Sequence, residues 1–464
     1  MISKHVSEVK KGAIDPVEFI HKTIEQVKKI NNEYNYITVI SEERALEQAE
    51  KVKKEKKGRL AGLPITVKDC ICVKNVETTA SSRILKGYKP VFDATVIQHL
   101  EKEGAIVIGK TVQDEFGFGS FGINVGLDYK IPKNPFDKER VTGGSSGGSA
   151  GITQKLNQHV SIAESTGGSI ETPASFCGVI GFCPTYGRVS RYGLISYANS
   201  LDKIGPMTKN ISDTALIMNV ISGFDENDST SSKEKINDYT KFVNKSLKGL
   251  RIGVISAEDI DKDIDKAQWS AIKKLESQGA TYDKVSLPIT ENYGIPTYYI
   301  IAMSEASTNL ACLSGMRYGV QENISAHFNE YFSNIRSKNF GKEAKRRIIL
   351  GTFARMAGYR DAYYLKAARV RTLIIQEYKK LFNNFDVIIS PTTPFVAPKF
   401  KDIEKLTPLQ HYISDRLTVG PNLAGIPHMS YPFGNKNGLP IGLQLMSDHF
   451  KEDQLIKIGS ALEK

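Results

Sequence analysis

The chain lacks several things that would have decided its class at once. No apolar run in its 464 residues approaches the ~18 needed to cross a bilayer, which excludes a membrane-spanning helix. Met1 to Lys11 has neither an apolar core nor an arginine-rich amphipathic stretch, so no targeting segment is expected and the cytoplasm is the default location. Cysteine is scarce and odd in number: Cys70, Cys72, Cys177, Cys183 and Cys312, with no Cys-x-x-Cys pair. That pattern fits a reducing compartment better than a disulfide framework and offers no zinc spacing, so no metal is expected. No glycine loop ends in Gly-Lys-Ser/Thr, so the chain has no phosphate loop of its own. Above all, no histidine lies in the glycine–serine loops, and the nearest is His159. A serine nucleophile here would need a base other than imidazole.

What is present is ordinary in bulk. The chain is 40% hydrophobic and 24% charged, as globular proteins are, and long enough to bury a large core. A net charge of +11 is compatible with a polyanionic partner such as RNA but identifies none. The densest basic run, Lys51 to Arg59, reads as a solvated surface.

Periodicity gives an α/β protein with a central, largely buried sheet. Asp15 can cap a helix that Pro16 begins, with Val17, Ile20, Ile24 and Val27 on one face. Tyr36–Ile40 reads as a strand, and Ser41 opens a charged helix ending near Lys51. Leu63–Val67 is a short apolar strand with Lys68-Asp69 at its end. Asp93 is expected to cap a helix through Leu100, stopped by Gly104 before a strand at Ala105–Ile108. Later strands are expected at Leu250–Ile255 and Val387–Ile389, with a helix at Ile264–Gln278. His428–Phe433 and Ile441–Leu445 flank the hairpin signal Asn437-Gly438. One domain over residues 1–464 is expected, with a helical insert around 298–367.

Two serine-bearing glycine loops carry the chemistry. The first is Gly143-Gly144-Ser145-Ser146-Gly147-Gly148-Ser149; the second is Ser165-Thr166-Gly167-Gly168-Ser169-Ile170. Small residues before a serine let successive backbone N–H groups converge, which suits a tetrahedral oxyanion. Ser169 is then the candidate nucleophile, Ser145 a proton relay and Lys68 the base. An ordinary lysine is neutral in roughly one molecule in 2,500 at pH 7, so a basic Lys68 requires desolvation. The apolar run before it suits that.

The segments Gly62–Asp69, Gly143–Ser149 and Thr166–Gly181, in this order and spacing, resemble the amidase signature family. The resemblance implies an amidase-signature fold, with a large central mixed β-sheet covered by helices on both faces. It assigns Lys68 as base, Ser145 as bridging serine and Ser169 as acyl-forming nucleophile, with Thr166, Gly167 and Gly168 as the oxyanion backbone. Within the family the chain is most similar to the glutaminase subunits of tRNA-dependent amidotransferases. That likeness includes Pro184–Gly193, Ser200–Pro206, Gly294–Tyr299, Ser304–Ser307, Lys345–Ile348 and Asn422–Pro427. It implies glutamine as ammonia source, partner B and C subunits, and a misacylated tRNA engaged through the complex. No cofactor is then expected on this chain, and ATP and magnesium are expected at the partner subunit. Free glutamine carries an α-carboxylate and an α-ammonium, and the resemblance places their partners at Arg347 and Asp415. Arg346 is the neighbour most easily confused with Arg347.

The alternatives are a stand-alone amidase on small acylamides and a non-catalytic scaffold subunit. The chain also departs from the family, which usually has aspartate at Ser165, arginine at Glu171 and lysine at Cys183. Loss of the first two together is expected to leave no unpaired buried charge. Glu164 and Glu171, if buried, favour protonated Lys68. Residues 111–126 keep Asp114-Glu115-Phe116 among altered neighbours.

Overall fold

The computed structural model describes residues 2–256, 259–323 and 327–464. Eleven strands form one mixed sheet. In chain order they are β1 (Ile37–Ile40), β2 (Pro64–Lys68), β3 (Ile106–Thr111), β4 (Val160–Ser165), β5 (Ile180–Cys183) and β6 (Lys203–Thr208). There follow β7 (Arg251–Ile255), β8 (Thr281–Val285), β9 (Val387–Pro391), β10 (His428–Lys436) and β11 (Leu439–Ser447). Their spatial order is β1-β3-β2-β4-β6-β5-β10-β11-β9-β7-β8.

Burial explains which sequence runs became strands. Every residue of β2, β3, β4, β5, β6, β9 and β11 is buried, as expected of strands covered on both faces. β8 is the exposed edge, and Asp283 and Lys284 there discourage pairing with another chain. The α/β reading and the hairpin both hold: β10 and β11 pair antiparallel, with Asn437 and Gly438 at positive φ between them. The Asp15 cap reading holds too, since its carboxylate accepts from the N–H groups of Val17 and Glu18 at the start of the helix Pro16–Tyr34, but this is the second helix, because Ile2–Lys11 forms one before it.

The Asp93 cap does not hold. The helix runs Thr95–Lys102 with Ala94 as its cap, and no side chain caps it. Asp93 instead receives Arg44 Nη2 and the Lys74 N–H. A half-buried ion pair outcompeted the helix end for that carboxylate.

Two topological facts position the site. β2 and β4 are parallel neighbours, so Lys68 and the pair Glu164-Ser165 emerge at the same, carboxyl-terminal edge. That edge is where α/β sheets usually hold ligands. The helical region extends beyond the expected 298–367: helices span Pro288–Asn309, Phe328–Asn339, Lys342–Arg355 and Lys366–Phe382.

Candidate active site

Lys68 ends β2 and is fully buried. Its Nζ donates to Ser145 Oγ at 2.7 Å, to the Glu164 carbonyl at 2.8 Å and to Glu164 Oε2 at 2.8 Å. These contacts use the three N–H bonds of an ammonium. Two of them go to one residue, so Glu164 fixes the rotation of the amine and the remaining position faces Ser145. The expectation that a buried Glu164 opposes the base thus has its geometry: a carboxylate salt-bridged to Lys68. Glu171 is buried as well but pairs elsewhere, with His428.

Ser145 sits in the turn leading to the helix Gly147–Lys155, after a cis Gly144–Ser145 peptide. The two serine loops are joined by their backbones, Ser146 N–H donating to the Ser169 carbonyl at 3.2 Å. Ser146 Oγ also donates to the Glu164 carbonyl. Among the described residues no hydrogen bond connects Ser145 Oγ to Ser169; of the expected relay, the structure shows the Lys68–Ser145 link.

Ser169 is 7% exposed and opens onto a narrow cavity. Gly167, Gly168, Tyr298, Tyr299, Arg347 and Asp415 line it too. Glycine is required in this wall: a Cβ on Gly167 would lie 2.3 Å from the Tyr298 ring, and one on Gly168, at φ +145°, 2.4 Å from Thr418 Oγ1. The Gly168 N–H donates to Ser165 Oγ and the Ile170 N–H to Glu171 Oε2. The N–H groups of Gly167 and Ser169 have no protein acceptor among the described residues. Thr166 does not line the cavity. Its hydroxyl lies 2.7 Å from Glu164 Oε1 and 2.8 Å from Asp202 Oδ1. One hydroxyl proton cannot satisfy two carboxylates. Burial, and then the charge of Glu164, push the Asp202 carboxyl well above the usual carboxylate range, so its acid form can supply the second proton.

Arg347 and Asp415 do reach the cavity. On the helix Lys342–Arg355 the buried positions Glu343, Ala344, Arg347, Gly351 and Ala354 follow helical spacing, which turns Arg347 inward and Arg346 out. Arg347 Nε donates to Glu343 Oε1 at 2.9 Å and Nη1 to Tyr197 OH at 2.5 Å. Its Nη2 has no protein partner among the described residues. The rings of Phe118, Tyr197, Tyr299 and Tyr412 surround the guanidinium at 5.1–5.7 Å. Asp415 Oδ2 accepts from Tyr299 OH at 2.6 Å and Ser120 Oγ at 2.8 Å. Burial pushes this carboxyl up to about 6 against the pull of those donors and of Arg347.

The segment after β3 forms the outer wall. Asp114 accepts from the N–H groups of Gly122 and Asn124, and Glu115 from Ser82 Oγ and the Gly341 N–H. Gly119 and Arg347 line both the inner cavity and an outer groove of about 280 Å³, near the lower end for small-molecule sites. Arg346 lines that groove.

Sequence reasoning missed Tyr197, Asp202, Ser120, Glu343 and His428. Glu343 was accessible, because a carboxylate four residues before an arginine is the standard helix pairing. Ser120 and His428 carry no local signal; only the fold brings them here.

The amidase family profile matches residues 18–456. The chain belongs to the amidase family. Curated relatives include the A subunit of a Glutamyl-tRNA(Gln) amidotransferase from Sulfurihydrogenibium sp., 45% identical over 97% of this chain and 94% of that one. The A subunit of the enzyme of the same name from Methanococcoides burtonii is 48% identical over 90% of this chain and 88% of the other. The crystal structure of the corresponding Glutamyl-tRNA(Gln) amidotransferase chain of Thermotoga maritima superposes with a TM-score of 0.82 at 35% identity. It covers 99% of this chain and 94% of its own. A peptide amidase, at 24% identity and a TM-score of 0.81, shares the fold.

Proposed function

We propose that the chain is the glutaminase subunit of a tRNA-dependent amidotransferase. The observation that carries the reading is the single cavity wall on which Ser169, Arg347 and Asp415 meet. Arg347 offers its free Nη2 to an α-carboxylate, and Asp415 offers a carboxylate to an α-ammonium. Glutamine presents both groups at one end and its amide at the other, where Ser169 lies.

In this reading Ser169 Oγ attacks the amide carbon. Its proton passes to Ser145, whose own proton passes to the neutral amine of Lys68. The two Glu164 acceptors keep the amine's N–H bonds occupied, so its lone pair faces Ser145. The tetrahedral oxyanion is held by the N–H groups of Gly167 and Ser169, each such donor being worth roughly 3–4 kcal/mol. Collapse returns a proton through the same path to the departing nitrogen and releases ammonia. Water then hydrolyses the acyl-Ser169 ester to glutamate by the reverse relay.

Ammonia would pass to a partner subunit that amidates Glu-tRNA(Gln), Asp-tRNA(Asn) or both, with ATP and magnesium bound at that partner. B and C subunits complete the complex, and misacylated tRNA is engaged through it. A translation enzyme of this kind works in the cytoplasm. No helix among the described residues is long and apolar enough to cross a membrane.

The test is ammonia release from glutamine by the chain co-expressed with B and C subunits, beside Ser169→Ala. Glutamine-dependent release that falls by on the order of 10⁴-fold or more in the variant supports the reading. Release from simple acylamides without partners indicates a stand-alone amidase. Assembly with no release from either form indicates a scaffold.

A further inference from the structure

Behind the Ser169 loop lies a buried cluster of Ser165, Glu171, Cys183 and His428, each with no solvent exposure. Glu171 is the first residue of the helix Glu171–Cys177. Its Oε2 accepts from Ser165 Oγ at 2.8 Å and from the Ile170 N–H at 3.0 Å. Its Oε1 accepts from Asn422 Nδ2 at 3.0 Å and meets His428 Nε2 in a short contact. Ser165 Oγ in turn accepts the Gly168 N–H at 3.2 Å.

The tautomer follows from the partners. His428 Nδ1 lies 2.9 Å from the Ile426 carbonyl, which only accepts, so Nδ1 carries a proton. The contact between Nε2 and the Glu171 carboxyl then needs a second proton, shared between imidazole and acid. Burial alone would raise the Glu171 carboxyl, but His428 beside it outweighs that and holds it below the usual carboxylate range. The cluster is therefore a buried acid–imidazole pair with one proton between its two groups. It refines the expectation drawn from Ser165 and Glu171: Glu171 is buried, and His428 is its partner.

The hydrogen bonds run without a gap from His428 through Glu171 to the Ile170 N–H, and through Ser165 to the Gly168 N–H. Ile170 follows Ser169 and Gly168 precedes it. His428 itself is fixed in the sheet, directly opposite Cys183 across β10 and β5. Gly168, at φ +145°, has no side chain to restrain it. An oxyanion site works only when its donors are fixed before reaction.

We propose that His428 is a positioning residue which, through Glu171 and Ser165, holds the backbone on both sides of Ser169 in the acyl-transfer geometry. The proposal deepens the reading of Ser169 as nucleophile and rests on it. Glu171, Cys183 and His428 also bring one potential metal-ligand atom each within 4.8 Å of the others. Yet Nε2 and Oε1 already satisfy each other, and Oε2 is occupied by Ser165 and Ile170.

The test uses the complex with its partner subunits. His428→Gln leaves the Glu171 carboxyl without its imidazole partner; Glu171→Gln/His428→Gln replaces both members of the pair and keeps hydrogen-bonding groups in place. Two rates are measured: ammonia release from glutamine, and labelling of Ser169 by a fluorophosphonate, which needs nucleophile and oxyanion donors but no glutamine recognition. In His428→Gln both kcat and the labelling rate should fall roughly 10- to 100-fold, less than outright loss of a donor, with KM for glutamine within about threefold. The double variant should recover at least about tenfold of the labelling rate; it carries the test alone if the single variant does not assemble, and must then label within about tenfold of wild type. Four results would overturn the proposal: unchanged labelling in folded His428→Gln, a loss confined to KM, a double variant no better than the single, or stoichiometric metal in the purified chain by elemental analysis. Wild type that labels at Ser169 but releases no ammonia from glutamine rejects the glutaminase reading and leaves this inference intact.

Discussion

Arg346 and Arg347 are adjacent in one helix and share the acid Glu343, but only Arg347 reaches the inner cavity. Arg347 donates to Glu343 Oε1 and lies in the cavity with Ser169, whereas Arg346 pairs with Oε2 and faces the outer groove. Recognition of a carboxylate by a planar fork cannot be transferred to a lysine without loss. Arg347→Lys should therefore raise KM for glutamine at least roughly tenfold, and Arg346→Lys by less than about threefold. Steady-state kinetics of ammonia release on the two variants decides it; equal effects would reject the assignment.

Asp415 should make substrate binding pH-sensitive. Its carboxyl is raised to about 6 by burial, so it is ionised above that pH and neutral below it. A neutral carboxyl loses its attraction for the α-ammonium. KM for glutamine should rise as pH falls through about 6, and Asp415→Asn should show a high KM with that dependence gone. A KM that stays flat in wild type as the pH is lowered from neutral through that value would contradict this role.

Glu164 both orients Lys68 and opposes its neutral form. Glu164→Gln keeps a carbonyl acceptor for the amine and removes the negative charge; Glu164→Ala removes the acceptor too. At pH 7 the glutamine variant should label Ser169 at least about threefold faster than the alanine variant, because orientation is kept while the ammonium loses its counter-ion. The same fluorophosphonate rate reports the result. An alanine variant as fast as the glutamine one would show that orientation by Glu164 does not matter.

Gly167 has no room for a methyl group. In Gly167→Ala the new Cβ would meet the Tyr298 ring at 2.3 Å, so ring or loop must shift. Overpacking of this kind costs about 1–3 kcal/mol. Thermal unfolding should show that loss, and kcat should fall with it because a free oxyanion donor moves. A variant with unchanged melting and unchanged kcat would mean that the loop is softer than its packing implies.

The sequence showed most of the scaffold and one half of the site. β2, β3, β7 and β9 were visible because strands buried on both faces are short, uninterrupted apolar runs. Lys68, Ser145 and Ser169 were visible because glycine loops with serines and an apolar run ending in lysine are local patterns. The proton balance was not visible. Thr166 between Glu164 and Asp202 depends on β4 pairing antiparallel with β6, a contact 36 residues apart in sequence. His428 beside Glu171 spans 257 residues and depends on β10 lying next to β5. Asp93 failed as a cap because Arg44, on another helix, competes for it. Local patterns identify groups that react; only the sheet order identifies the groups that balance their charge.

The chain also divides its site by sequence position. The groups proposed to move protons and form the ester, Lys68, Ser145 and Ser169, and Glu164 that orients Lys68 all precede residue 170, whereas Tyr298, Tyr299, Arg347 and Asp415 come from residues 298–415. Just beyond the later group, Thr418 Oγ1 donates to the Gly167 carbonyl at 2.8 Å. Such an arrangement lets selection rewrite what is held without disturbing how it is cleaved. A recombinant carrying only residues 298–415 of another amidase, with His428 kept, should change its choice of amide while keeping its chemistry.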